Sequence, residues 1–337
     1  MTAFAYLSDQ RFLRAAPAAD ARFAVAGIAW DGSTTNRPGA RFGPRAIRSA
    51  SHMLCDATHP LFDTSPIGQL ADLGDLPLPN TGLSAMREAL APLLPALIRQ
   101  HHMVWLGGDH SITLPLLRAY RQALGQPLAV IHFDAHCDTW TDHFGEPSGH
   151  GTWVSEAFAE GLVLPQCFTQ LGIRSSAVRE ARDFVSDRGG QVFSARALRG
   201  LESPAQLAPV LDAIATRLAA HGQPPLYLSL DIDALDPAFA PGTGTPEPGG
   251  LSTNQVLTVL EELCGRPALN FVGMDCAEVA PVYDHAELTS NAAAHFVWTY
   301  LCGRIAAANT APAATAPTAA NTNTQAATVT ASRPSSS

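Results

Sequence analysis

The sequence lacks any paired-cysteine spacing. Its six cysteines are scattered over positions 55, 137, 167, 264, 276 and 302, and none forms a CxxC. That excludes a disulfide scaffold and reads as a reduced, intracellular chain. No apolar run reaches the length needed to cross a bilayer. Residues 1–25 mix Asp and Arg into their apolar positions, so no secretory h-region is expected there. Positive charge is scarce: 21 Lys and Arg stand against 30 Asp and Glu, a net charge of -9. That leaves no electrostatic footprint for nucleic acid and is compatible with a cationic small substrate. These absences predict a cytoplasmic protein with no membrane and no nucleic-acid partner. There is no internal repeat. What the chain does have is bulk: 337 residues, 46% hydrophobic and 15% charged, enough to bury a sizeable core.

Apolar runs that read as buried strands occur at 22–28, 103–107, 128–133, 168–173, 226–232 and 269–275, with weaker ones near 68–71 and 191–194. Helical patterns fall at 83–100, 112–123, 177–187, 204–221, 253–263 and 286–302. Strands alternating with helices predict an α/β fold with a mostly parallel sheet covered on both faces. From residue 308 the composition shifts to Ala, Thr, Pro, Asn and Ser. Such a segment buries too little apolar surface to offset its ordering entropy. The expected organisation is one domain over 1–307 and a disordered tail over 308–337.

Three segments carry chemistry, each at a strand end. In "VWLGGDHSI" (104–112), two glycines release the backbone before Asp109 and His110. Alone, this reads as a turn with a capping Asp. In "HFDAHCDTW" (132–140), Asp134, His136 and Asp138 fall on every second residue. Extended backbone would point all three to one side. In "YLSLDIDALDPAFAPGTGTPEPGG" (227–250), Asp231 and Asp233 alternate in the same way, and Asp236 reads as a turn cap. In a parallel sheet the carboxyl ends of the strands share one edge, where ligands bind. Two imidazoles and four carboxylates meeting there without a cation would be costly. The pattern therefore predicts a site for two divalent metals, about 3.5–4 Å apart, for hydrolytic chemistry. Oxygen and imidazole ligands suit manganese, and also nickel, cobalt, iron or zinc. Cys137 reads as packing away from the metals.

"GGDHSI", "HFDAHCDT" and "SLDIDALDPAFAPGTGTP" resemble the ureohydrolases: arginase, agmatinase, guanidinobutyrase and their relatives. The resemblance runs from about Gly27 to Gly303 and includes "RPGARFGPRAIRSAS", "LGIRSS" and "VGMDCAEVAPVYDHAELTSNAAA". It implies a three-layer α/β/α fold with an eight-stranded parallel sheet, a dimanganese centre, and cleavage of a guanidino group to urea and an amine. It implies that one metal takes His110 and Asp138, the other takes His136 and Asp233, and Asp134 and Asp231 bridge. His150 matches the family's proton-shuttling histidine, and Glu278 matches the glutamate that pairs with the guanidinium. Relatives form closed homo-oligomers, often trimers or hexamers.

Substrate choice within the resemblance rests on a loop. Arginases carry Asn and Ser where this chain has Trp140 and Glu146, so a zwitterionic α-amino acid is disfavoured. The loop 139–149 has no Arg or Lys for a carboxylate. An ammonium suits Glu146 or Asp142, with Trp140 or Trp153 facing it. Agmatine is the expected substrate. 4-Guanidinobutanoate or a smaller guanidino compound is the alternative. A two-metal phosphatase or nuclease is disfavoured because no basic clamp for phosphate adjoins the ligands. A non-catalytic relative would have lost ligands, and none is missing.

Overall fold

A computed structural model describes residues 10–310. From residue 311 onward, the expected tail lies outside the described residues. In chain order the strands are β1 (Phe23–Ile28), β2 (Leu70–Asp75), β3 (His102–Gly107), β4 (Leu128–Phe133), β5 (Val163–Leu171), β6 (Gln191–Phe193), β7 (Leu226–Asp231) and β8 (Phe271–Ala277). All eight form one sheet in the order β2-β1-β3-β8-β7-β4-β5-β6. Every named pairing is parallel. The helices are α1 (Gly43–Ser51), α2 (Leu83–Leu90), α3 (Leu94–Gln100), α4 (Thr113–Leu124), α5 (Trp153–Ala159), α6 (Arg179–Arg182), α7 (Phe184–Asp187), α8 (Ala195–Leu198), α9 (Pro204–Ala220), α10 (Thr253–Cys264) and α11 (Leu288–Thr310).

The alternation of each strand sorts its side chains between two cores. Phe23 and Val25 of β1, Val104 and Leu106 of β3, and Ala129, Ile131 and Phe133 of β4 join the core covered by α1, α9, α10 and α11. Their neighbours Ala24, Ala26, Met103, Trp105, Leu128 and Val130 face the core covered by α2, α3, α4 and α5. Burial on both faces makes three layers and explains the continuous apolar strands.

Local signals set the helix ends. Ser203 with Gln206 and Ser252 with Gln255 form capping boxes that open α9 and α10. The expected helix over 83–100 is two helices, because Pro92 cannot continue α2 and Pro95 opens α3 instead. The pattern over 177–187 is the two short turns α6 and α7. Strand β5 begins at Val163, before the expected 168. Its first half holds Pro165, tolerated there because the short β6 pairs only with Thr169–Leu171 and leaves that edge open.

Four strands matter for chemistry. β3, β8, β7 and β4 are consecutive neighbours at the centre of the sheet. Their carboxyl ends deliver His110, Glu278, Asp231 with Asp233, and Asp134 with Asp138.

Candidate metal centre

Each ligand-bearing strand ends in the same device. The Asp closing it turns one oxygen back onto the backbone N–H two residues on. Asp109 Oδ1 accepts from Ser111 N at 3.1 Å, Asp134 Oδ1 from His136 N at 2.6 Å, and Asp231 Oδ1 from Asp233 N at 2.7 Å. These side-chain-closed turns replace the extended alternation expected over 134–138. β4 stops at Phe133, and Asp138 takes a left-handed backbone at φ 55°. The chain coils, and coiling brings the ligands closer than a straight strand would.

The second oxygens face inward. His110 Nδ1 lies 3.1 Å from Asp134 Oδ2, 3.2 Å from Asp138 Oδ2 and 3.1 Å from Asp231 Oδ2. His136 Nδ1 lies 3.3 Å from Asp134 Oδ1 and 3.0 Å from Asp233 Oδ2. Two groups of donor atoms result, one around His110 and one around His136, with Asp134 common to both. Except for His136, these side chains are almost wholly buried.

A divalent pair fits this donor set on three observations. His110 Nδ1 is buried and forms no hydrogen bond, although three carboxylate oxygens surround it. Its other nitrogen, Nε2, lies 2.8 Å from Ser229 Oγ, which donates to Asp275 Oδ1 at 2.9 Å. That chain makes Nε2 a donor and turns Nδ1 to the carboxylates, where it offers a lone pair to a cation and otherwise carries a proton. Charge crowding points the same way. Burial, then Asp233 and Asp134, push the Asp231 carboxyl well above its usual range. Burial and Asp134 raise Asp138. Burial would lower His110, but the three carboxylates hold it well above an ordinary imidazole. Cations between these groups relieve that repulsion.

Glu278 and His150 sit beside the cluster. Glu278 has φ 64°, and its Oε1 accepts from His110 N and from His150 Nδ1, each at 2.9 Å. Its Oε2 is buried with no hydrogen-bond partner. His150 Nε2 lies 2.9 Å from Thr35 Oγ1. Gly108 permits the close approach at the end of β3, since a Cβ there would lie 1.5 Å from the Trp30 carbonyl oxygen.

A cavity of about 320 Å³ opens over the cluster, lined on its outer side by Trp140, Asp142, His143 and Phe144. Trp140 is on its wall as expected. Two expected substrate contacts are not. Trp153 is fully buried, and its Nε1 donates to Asp138 Oδ2 at 2.7 Å, so it supports a ligand rather than facing substrate. Glu146 is exposed and outside the lining, because its backbone pairs with His143 in a tight turn that carries Asp142 toward the cavity. Cys137 packs with Ile173 and Ala181, away from the ligands. Asp236 caps its loop, accepting from Ala238, Gly249 and Gly250.

Sequence reasoning missed Thr35, His132, Ser229, Thr245 and Asp275. Thr245 Oγ1 donates to Asp233 Oδ2 at 3.1 Å. His132 and Ser229 carried a readable signal: each lies two residues before a strand-end Asp and so shares its face. Thr35 comes from a loop distant in sequence and had none.

Buried carboxylates and imidazoles on the carboxyl edge of a parallel three-layer sheet define a metal-dependent hydrolase. The chain belongs to the Arginase family, whose model matches residues 21–303. It is 41% identical over 282 residues to the agmatinase of Chromobacterium violaceum, covering 83% of this chain and 82% of that one. Among solved structures it is similar to a hypothetical agmatinase from Burkholderia thailandensis, with TM-score 0.77, 37% identity, and 88% and 91% of the two chains covered. It is also similar to the proclavaminate amidino hydrolase of Streptomyces clavuligerus, with TM-score 0.78, 35% identity, and 90% and 99% covered. Within the family the chain is an agmatinase-like, metal-dependent ureohydrolase.

Proposed function

We propose that the chain hydrolyses agmatine to putrescine and urea. The observation that carries this reading is Glu278 Oε2, a buried carboxylate oxygen with no partner beside the metal-ligand cluster. Such an oxygen suits a planar cation that donates hydrogen bonds, as a guanidinium does. His110 and Asp138 would hold one cation, His136 and Asp233 the other, with Asp134 and Asp231 shared. Manganese fits this mixed oxygen and nitrogen set, and nickel or cobalt would be accepted. When bound, the pair supplies Lewis acidity and brings a water into the pKa range of a nucleophile.

The remaining work belongs to side chains. Glu278 holds the guanidinium and fixes its carbon over the cluster. His150, between Glu278 and Thr35, carries a proton to the departing amine. Asp142 accompanies the distal ammonium, with the Trp140 ring beside it. 4-Guanidinobutanoate is disfavoured because no Arg or Lys lines the cavity among the described residues. The protein would act in the cytoplasm, in polyamine biosynthesis, as a homo-oligomer such as a trimer or hexamer. No helix among the described residues is long and apolar enough to cross a membrane.

The test is urea release by manganese-loaded protein across agmatine, arginine, 4-guanidinobutanoate and shorter guanidino compounds. Agmatine should be turned over best. Preference for a shorter compound would reject the substrate but keep the chemistry, and silence across the panel would reject both.

A further inference from the structure

Of the three imidazoles in the two donor groups, His132 is the one that the ligand assignment does not use. It precedes Asp134 by two residues on β4, is wholly buried, and stands in one donor group with His110, Asp134 and Asp138. Position alone makes it a candidate seventh ligand.

The hydrogen bonds around it argue otherwise. Gln170 Nε2 donates to the Cys137 carbonyl at 2.9 Å. A carbonyl only accepts, so the amide nitrogen must be on that side. The same nitrogen lies 3.2 Å from His132 Nδ1. Nδ1 must therefore accept, which puts the ring proton on Nε2. Nε2 lies 2.8 Å from Asp134 Oδ2 and donates to it. A nitrogen that spends its proton on a carboxylate has no lone pair left for a metal. Asp134 is thereby clamped on both oxygens, with His136 N–H on Oδ1 at 2.6 Å and His132 N–H on Oδ2. The His132 ring is itself fixed edge-on against Trp153, with centroids 4.8 Å apart.

We propose that His132 is a positioning residue for Asp134, its proton placed by Gln170, and not a metal ligand. Asp134 is the carboxylate common to both donor groups, so its rotation affects both cations. Two donors at right places fix its plane before any cation arrives, and outer hydrogen bonds of this kind typically change metal affinity ten- to hundredfold. The inference rests on the two-cation reading above.

Four proteins test it: the unaltered chain, His132→Leu, His132→Gln and Gln170→Leu. Manganese and cobalt binding are followed by titration against a chelator, and the visible absorption of the cobalt forms is recorded. The unaltered chain should bind two ions. His132→Leu should still saturate at two, with roughly ten- to hundredfold weaker binding. The Gln variant keeps an N–H near the Nε2 position and should recover most of that loss, which a merely structural role would not allow. Gln170→Leu should weaken binding in the same direction by a smaller factor. The cobalt spectra should keep the same coordination signature throughout. Saturation of His132→Leu at one ion, with a changed cobalt spectrum, would make His132 a ligand and overturn the proposal. Unchanged affinity in His132→Leu would overturn it as well. Should the Leu variant not fold, unchanged affinity in Gln170→Leu is the overturning result. An unaltered chain that binds no metal would sink the two-cation reading and this proposal together, whereas two ions with indifferent variants would sink only the proposal.

Discussion

The indole of Trp153 donates its Nε1 proton to Asp138 Oδ2 at 2.7 Å, from a ring with no exposed surface. Asp138 itself has a left-handed backbone at φ 55°. Trp153→Phe keeps an aromatic ring against His132 and Phe168 and removes the donor together with part of the buried ring volume. The expected result is a folded protein that loses metal about tenfold more readily to a chelator, consistent with a charge-assisted hydrogen bond of about 1.5 kcal/mol. Equal metal retention in the two proteins would show that this bond does not orient Asp138.

Asp134 and Asp231 share a further property: each spends Oδ1 on its own turn and points Oδ2 at His110. Under the proposed assignment, replacing either by Ala removes a shared ligand, and it opens a turn as well. Elemental analysis of Asp134→Ala and Asp231→Ala should find both ions depleted. Asp138→Ala should lose chiefly one, because the proposed assignment gives Asp138, which faces His110, to a single cation. Identical losses in all three variants would reject the division into shared and single ligands.

The pair His150 and Glu278 predicts a pH effect in metal-free protein. Burial alone would lower the His150 pKa, but the Glu278 hydrogen bond and charge outweigh it, with Asp109 and Asp138 adding to them, and lift it to about 9. The ordinary value is about 6.5. A raised imidazole pKa stabilises the fold fully below the unfolded value, and the contribution is lost as pH climbs through the folded one. Unfolding midpoints should therefore decline between about pH 6.5 and pH 9 partly through this pair. Glu278→Gln should flatten that decline and move the His150 titration, followed by NMR, downward. An unmoved His150 titration in the Gln variant would refute the coupling.

Most residues of the donor cluster were legible in the sequence, whereas the shape that gathers them was not. Apolar runs ending in Asp at β4 and β7 showed which residues meet, because parallel strands share one carboxyl edge. Periodicity then suggested straight alternation past Asp134, and turn chemistry prevailed: a strand-end Asp can hydrogen-bond the N–H two residues on, and that bends the chain. Two of the expected substrate contacts lie off the cavity wall for local reasons of their own. Trp153 opens α5 and points into the core, and the turn at 143–146 swings Glu146 outward. Hydrophobic patterning carries no information on the direction of such a turn.

That turn leads to a substrate prediction. Asp142 lines the cavity and Glu146 does not. If the distal ammonium lies by Asp142, Asp142→Asn should raise KM for agmatine several-fold with kcat little changed, and should barely alter 4-guanidinobutanoate. Glu146→Gln should leave both substrates as they were. A KM effect from Glu146 alone would return the ammonium to the outer side of the turn.

Arg174 predicts a stability effect outside the donor cluster. Its guanidinium donates to the carbonyls of Gly172, Asp233, Ala234, Leu235 and Glu247. It thus fastens the turn bearing Asp233 to the loop that ends in Gly249 and Gly250, and a Cβ at Gly250 would lie 2.6 Å from its Nη2. Lysine has one compact ammonium and cannot span carbonyls spread over two segments. Arg174→Lys should cost about 3 kcal/mol in urea denaturation, since hydrogen bonds to a charged donor contribute roughly 1.5–3 kcal/mol each and water replaces only some of them. Because Asp233 rides on the same turn, urea release should fall as well, with the His136 group losing its ion first. The exposed Arg182, which pairs with its neighbour Asp183, is the control, and Arg182→Lys should leave the denaturation midpoint unchanged. A midpoint for Arg174→Lys equal to that control would mean the two segments hold together without the guanidinium.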